Sequence, residues 1–182
     1  MKTVRIAAAL FLLYASETHA ATQGSLGSPS TGTMNVGVIK AARADITSLA
    51  DLSRGAWSVG DGDIVLTNDV CVYSTRPSGG YTIQPSGSGS GGAFTLANGA
   101  HTLAYAVTWN AGGVGALSNS GASLSPNGIS GPLTHAATDN STCNGTTPGP
   151  TARLIVTVTA AAMTAAPAGT YTGTLTLLVT PN

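Results

Sequence analysis

Charge is what this chain has least of. Lysine, arginine, aspartate and glutamate make up 8% of its 182 residues, against roughly 25% in an ordinary globular protein. No basic patch exists, which argues against a nucleic-acid partner, and no acidic run replaces it. Cysteines number two and aromatics are 5%. Beyond the first twenty positions no stretch is long and apolar enough to cross a bilayer as a helix. The G-x-S-x-G elbow of a serine hydrolase is missing, and so is any internal repeat. No long helical period appears either, which excludes parallel βαβ units.

The opening MKTVRIAAALFLLYASETHA places Lys2 and Arg5 before an apolar core from Ile6 to Ala15, with Thr18-His19-Ala20 as a small-residue cleavage site. This pattern predicts a secretory signal peptide over residues 1–20, and hence an exported protein with one domain's worth of chain after it. In an oxidising compartment Cys71 and Cys143 most simply form one disulfide; a metal pair or two free thiols are the weaker alternatives.

Alternation carries the secondary structure. The last stretch, Gly169 to Pro181 (GTYTGTLTLLVTP), puts Tyr171, Leu175, Leu177 and Val179 on one parity and Thr172, Thr174, Thr176 and Thr180 on the other. That describes a strand with one wet face. It closes the printed sequence and lacks lysine, a late bulge glycine or an internal proline, the usual protections of an edge. Its cover is expected from an earlier segment or from another protein. Residues 21–33 read as flexible. Met34, Val36 and Val38 then alternate in a short strand running through Ile39.

Residues 45–52 fit either a helical turn or a bent strand. Thr67-Asn68-Asp69 reads as a turn between two short strands, and residues 85–92 (PSGSGSGG) as a loop. Asn98-Gly99 signals a hairpin, and His101, Leu103, Tyr105, Val107 and Trp109 share one strand face. Residues 111–150 look loose, pinned to the strand at Cys71 by Cys143. Leu154, Val156 and Val158 point inward on another strand, and residues 160–167 read as a crossover loop more than a helix. Short strands separated by turns predict an all-β antiparallel sandwich.

Candidates for chemistry are thin. Gly87, Gly89 and Gly92 have G-x-G-x-x-G spacing, yet a strand follows where a dinucleotide site needs a helix. His101 and His135 each stand alone. Asp61, Asp63 and Asp69 sit near turns without the rest of a calcium loop. Asn140-Ser141-Thr142 and Asn144-Gly145-Thr146 are formal glycosylation sequons. No catalytic, cofactor or metal site is expected.

Val70-Cys71-Val72-Tyr73-Ser74, Tyr81-Thr82-Ile83, the run from Gly91 to Gly99 (GGAFTLANG), Leu103 to Trp109 (LAYAVTW), Ser141-Thr142-Cys143 and the closing run from Ala165 to Leu177 follow one another as in spore coat protein U domains. Residues 24–57 resemble the start of that family, with a departure at Ile39 to Ala44 (IKAARA), where a proline-containing apolar run is the family pattern. The likeness covers nearly all of the chain after the leader.

It is a likeness to subunits of archaic chaperone–usher pili of Gram-negative bacteria. What it implies is an immunoglobulin-like sandwich over residues 41–182 that lacks its final strand. A periplasmic chaperone lends that strand during folding. The extension of another subunit replaces it at an outer-membrane usher, on the way to the cell surface. Residues 21–40 would then be the extension, with Met34, Val36 and Val38 the donor residues and Tyr171, Leu175, Leu177 and Val179 the accepting edge. Two other readings stay open: residues 34–39 close their own domain in a monomeric envelope protein, or the domain is an adhesive tip that binds through its loops.

Overall fold

The structure, a computed structural model, describes residues 21–144 and 149–182; the expected signal peptide lies outside them. The chain divides into two units, residues 1–40 and 41–182. In the described part of the first unit, Thr22 and Thr33 exchange two backbone hydrogen bonds of 2.9 Å. Residues 34–39 belong to no strand, unlike the sequence expectation, and Met34, Val36 and Val38 are 77%, 85% and 92% exposed. Among the described residues no strand is hydrogen-bonded to residues 34–39, and alternation alone supplies no hydrogen bonds to hold an extended ladder.

The main regular elements of the second unit are antiparallel strands. They are β1 (Ala44–Thr47), β2 (Ile64–Ser74), β3 (Tyr81–Gly87), β4 (Thr95–Asn98), β5 (His101–Ala104), β6 (Ala106–Asn110) and β7 (Ala122–Leu124). The short helix α1 (Asn140–Asn144), β8 (Ala152–Val158), the helix α2 (Ala160–Ala165) and β9 (Leu175–Pro181) complete it. One sheet has the order β1-β2-β8-β6-β7; β3 pairs with β9, and β4 with β5. The all-β antiparallel class expected from the alternation is what the chain adopts.

Several boundaries differ from the sequence reading, each for a physical reason. Thr67-Asn68-Asp69 is not a turn but the middle of β2. There β8 pairs along Ile64–Val70, and β1 takes over at Cys71–Ser74. Asp69 finds its register partner in Arg153, whose Nη2 donates to its carboxylate at 2.8 Å. That hydrogen bond, opposed by desolvation and reinforced by the guanidinium charge, holds the Asp69 carboxyl below its ordinary pKa.

Pro85, Ser86 and Gly87 lie in β3 rather than in a loop. The odd-numbered groups of β3 face residues 127–133: Tyr81 and Leu133 bond each other twice, the Ile83 N–H meets Ser130 Oγ, and the Pro85 C=O accepts from Asn127. A proline fits this edge because its missing N–H falls on the side away from the β9 ladder. Residues 160–165 form a helix after all. Thr159 caps it by accepting the Ala162 N–H at 3.2 Å, alanine favours it, and Pro167 stands just beyond its end. Residues 45–52 resolve into β1 and an irregular segment after it, with Ser48 at φ 63°.

The Asn98-Gly99 hairpin forms as expected, between β4 and β5. The run through Trp109 keeps its parity but changes sheets at Tyr105, whose N–H bonds Phe94 C=O at 3.0 Å. Leu103, Tyr105, Val107 and Trp109 are buried while His101 is exposed. On β8, Ile155 is buried along with Leu154 and Val158, so that strand is covered on both faces.

Val70, Val72, Tyr81, Ile83, Val107 and Trp109 form the centre of the core. Within it the Trp109 Nε1–H donates to Tyr81 Oη at 2.9 Å. The Cys71–Cys143 disulfide ties β2 to α1 across 72 residues, with 5.4 Å between the Cα atoms.

Two outcomes follow from the core. Replacing Cys71 and Cys143 together by alanine lowers the free energy of unfolding by about 2–4 kcal/mol, read as a shift of the urea midpoint; an unchanged midpoint contradicts it. Burial pushes the Tyr81 phenol up to about 12 from the ordinary 10.0, against the pull of the Trp109 hydrogen bond. Stability that depends on this neutral phenol is whole below pH 10 and drains away as pH rises from 10 to about 12. Tyr81→Phe therefore flattens the alkaline loss. It also lowers stability at pH 8 by about 1–3 kcal/mol, because the indole N–H is left without a partner.

A groove beside an open strand edge

The final strand has two unlike edges. On one side β9 pairs with β3, with Thr82 opposite Thr180, Gln84 opposite Leu178 and Ser86 opposite Thr176. Because the odd positions of β3 are engaged with residues 127–133, the even positions form the ladder to β9. Antiparallel geometry then turns the backbone N–H and C=O groups of Leu175, Leu177 and Val179 to the opposite edge. No strand among the described residues is hydrogen-bonded there.

Side chains follow the same parity. Leu175, Leu177 and Val179 are half-buried against the core, whereas Leu178 on the outer face is 55% exposed. Tyr171 departs from the expectation: it lies outside β9, and its O–H donates to Pro167 C=O at 2.9 Å. Thr172 bonds Ala97 through bonds of 2.8 and 3.0 Å, so the chain first borders β4 and reaches β3 only after Gly173. A Cβ at Gly173 would stand 2.8 Å from Ser88 Oγ and 3.1 Å from the Thr95 carbonyl oxygen. A side chain at that point would crowd Ser88 Oγ, which accepts the Thr174 N–H at 3.1 Å.

Beside the open edge runs a groove of about 520 Å³. Its floor is Leu66 of β2 with Leu154, Val156 and Val158 of β8; Leu175 and Leu177 form one wall, with Leu96 and Tyr105 also lining it. Residues 49–52 line it too, and among its lining residues Asp51 carries the one charge. Burial raises the Tyr105 phenol above its ordinary pKa, keeping it neutral. An apolar trough beside a row of unsatisfied backbone donors and acceptors is suited to an extended peptide with alternating apolar side chains.

The polar candidates do not converge. His101 is exposed at the start of β5. His135 Nδ1 stands 3.2 Å from the Ala111 carbonyl oxygen and 3.1 Å from Thr134 Oγ1. Asp61 bonds the Ser58 N–H, Asp63 the Ala160 N–H, and Asp69 pairs with Arg153. Among the described residues no cluster of three histidine, cysteine, aspartate or glutamate side chains has metal-binding geometry.

Of the residues singled out in the sequence, Cys71 and Cys143 meet, and Leu175, Leu177 and Val179 line up on one strand. Met34, Val36 and Val38 belong to the other unit. The groove floor escaped sequence reasoning because it joins residues from β2 and β8 that are far apart in the chain. No protein-family model matches the chain, and no curated protein matches it.

The edge geometry sets an exchange pattern. In dilute monomer, the amides of Thr176, Leu178 and Thr180 resist hydrogen exchange, while those of Leu175, Leu177 and Val179 exchange at least tenfold faster although their side chains are half-buried. Uniform protection along β9 in an NMR exchange series contradicts an open edge.

Proposed function

We propose that this chain is an exported, non-enzymatic structural subunit of a pilus of the archaic chaperone–usher kind. It would be an incomplete immunoglobulin-like sandwich that polymerises by accepting a strand from another subunit. The single observation that carries the reading is the open edge of β9 beside an apolar groove. The resemblance of its ordered sequence runs to spore coat protein U domains supports it. So does the exposed, alternating Met34, Val36 and Val38.

In this reading the backbone of residues 34–38 of one copy pairs with Leu175, Leu177 and Val179 of the next. Met34, Val36 and Val38 enter the groove over Leu66 and Val156. Burying three such side chains is worth about 1.5–3 kcal/mol each before the cost of ordering the segment. The ladder of backbone bonds fixes direction and register.

A subunit with such a groove exposed aggregates unless something fills it. The proposal therefore includes a periplasmic chaperone that lends a strand and an outer-membrane usher where the exchange is made. The assembled fibre stands at the cell surface and contributes to adhesion or biofilm. It needs no cofactor and no nucleic acid.

The test is assembly without the chaperone. Chain purified from periplasm forms a concentration-dependent ladder of multimers. Removing residues 21–40, or making Val36→Asp, abolishes the ladder but leaves the disulfide and the β-type circular dichroism spectrum. A monomer whose cooperative unfolding is unchanged by the deletion overturns the proposal and makes the chain a closed, self-sufficient domain.

A further inference from the structure

Leu66, Asn68 and Val70 share the inward parity of β2, and the amide among two apolar residues is out of place. A half-buried amide on an apolar face is unfavourable unless its hydrogen bonds are made. Besides the Asp69 C=O, to which Nδ2 donates at 3.4 Å, the partners of Asn68 come from the chain just after β1. Its Oδ1 accepts the Ala50 N–H at 3.0 Å, and its Nδ2 donates to the Ser48 C=O at 3.2 Å. The side chain thus imitates a strand neighbour for residues 48–50.

The segment is rooted firmly and held lightly. At its root Thr47 pairs with Cys71, and its hydroxyl donates to the Cys143 C=O at 3.3 Å, so the disulfide region anchors the end of β1. Ser48 follows with φ 63°, a left-handed conformation uncommon for any residue but glycine. Leu49 is 55% exposed, and Leu52 packs half-buried against the core. Both line the same groove as Leu175 and Leu177. A strand entering there has to share the groove with them.

We propose that residues 48–52 form a latch over the groove, held shut by the Asn68 side chain and displaced by an incoming strand. The inference rests on the strand-accepting reading above and takes residues 34–38 of a second copy as the occupant. Displacement releases the Asn68 amide from Ser48 and Ala50 and leaves it to water. The closed latch reduces the fraction of chains ready to accept a strand, and so slows uptake.

The experiment uses the full chain at low concentration and a fluorescent synthetic peptide of residues 31–40, with association and dissociation rates measured by stopped flow. Asn68→Ala is expected to raise the association rate about tenfold, the effect of losing two modest hydrogen bonds, while dissociation stays within about twofold. In the unaltered chain the Ala50 amide is protected from exchange and loses that protection when peptide binds. This second readout needs no substitution and decides the matter even if Asn68→Ala does not fold.

Equal association rates, with Ala50 still protected in the complex, overturn the latch but leave strand uptake standing. Faster dissociation with unchanged association also overturns it, making Asn68 a groove contact. Peptide that binds Asn68→Ala and not the unaltered chain supports the latch. Peptide that binds neither overturns strand uptake, and the latch with it.

Discussion

Backbone amides and carbonyls that leave water must find partners, and that demand decides which edge of β9 is spent. β3 spends its odd groups on residues 127–133 and its even groups on β9. β2 divides its length between β8 and β1. The far edge of β9, where Leu175, Leu177 and Val179 present their peptide groups beside an apolar trough, has no strand hydrogen-bonded to it among the described residues. An edge of this kind in an otherwise neutral, threonine-rich surface lacks the charges that keep strands apart. The same poverty of charge leaves the edge undefended.

The scaffold that holds this edge in place is tied from behind. Trp109 and Tyr81 join the five-stranded sheet to β3 through a buried hydrogen bond, and β3 in turn carries β9. The disulfide draws α1 against β2 at the point where β1 leaves the sheet. Rigid backing with an open front is an arrangement in which strand addition need not disturb the core. The movable part then falls on residues 48–52, whose two tying hydrogen bonds come from one side chain.

Much of this was legible before any coordinates. Alternation identified the faces of β6, β8 and β9, Asn98-Gly99 marked its hairpin, and the count of two cysteines predicted their pairing. Local propensity reads Thr67-Asn68-Asp69 as a turn and Pro85-Ser86-Gly87 as a loop, and in both the neighbouring strands and loops decide otherwise. Over residues 160–165 Pro167 and the short length argue against a helix that local forces nonetheless form. Arg153 partnered Asp69 across the ladder, residues 127–133 left Pro85 with no donor to supply, and Thr159 capped a helix that alanine favoured.

The sequence by itself determined the all-β class, the inward parity of Leu175, Leu177 and Val179, and the identity of the disulfide partners. These depend on a period of two and on a count, both of which are properties of a line. Only the tertiary structure decided where β9 begins, which of its edges is spent on β3, and that Leu66 and Val156 meet beneath the other. A strand's parity says which side chains share a face, but both of its edges carry the same peptide groups. Which edge is left open is settled by what folds against the first.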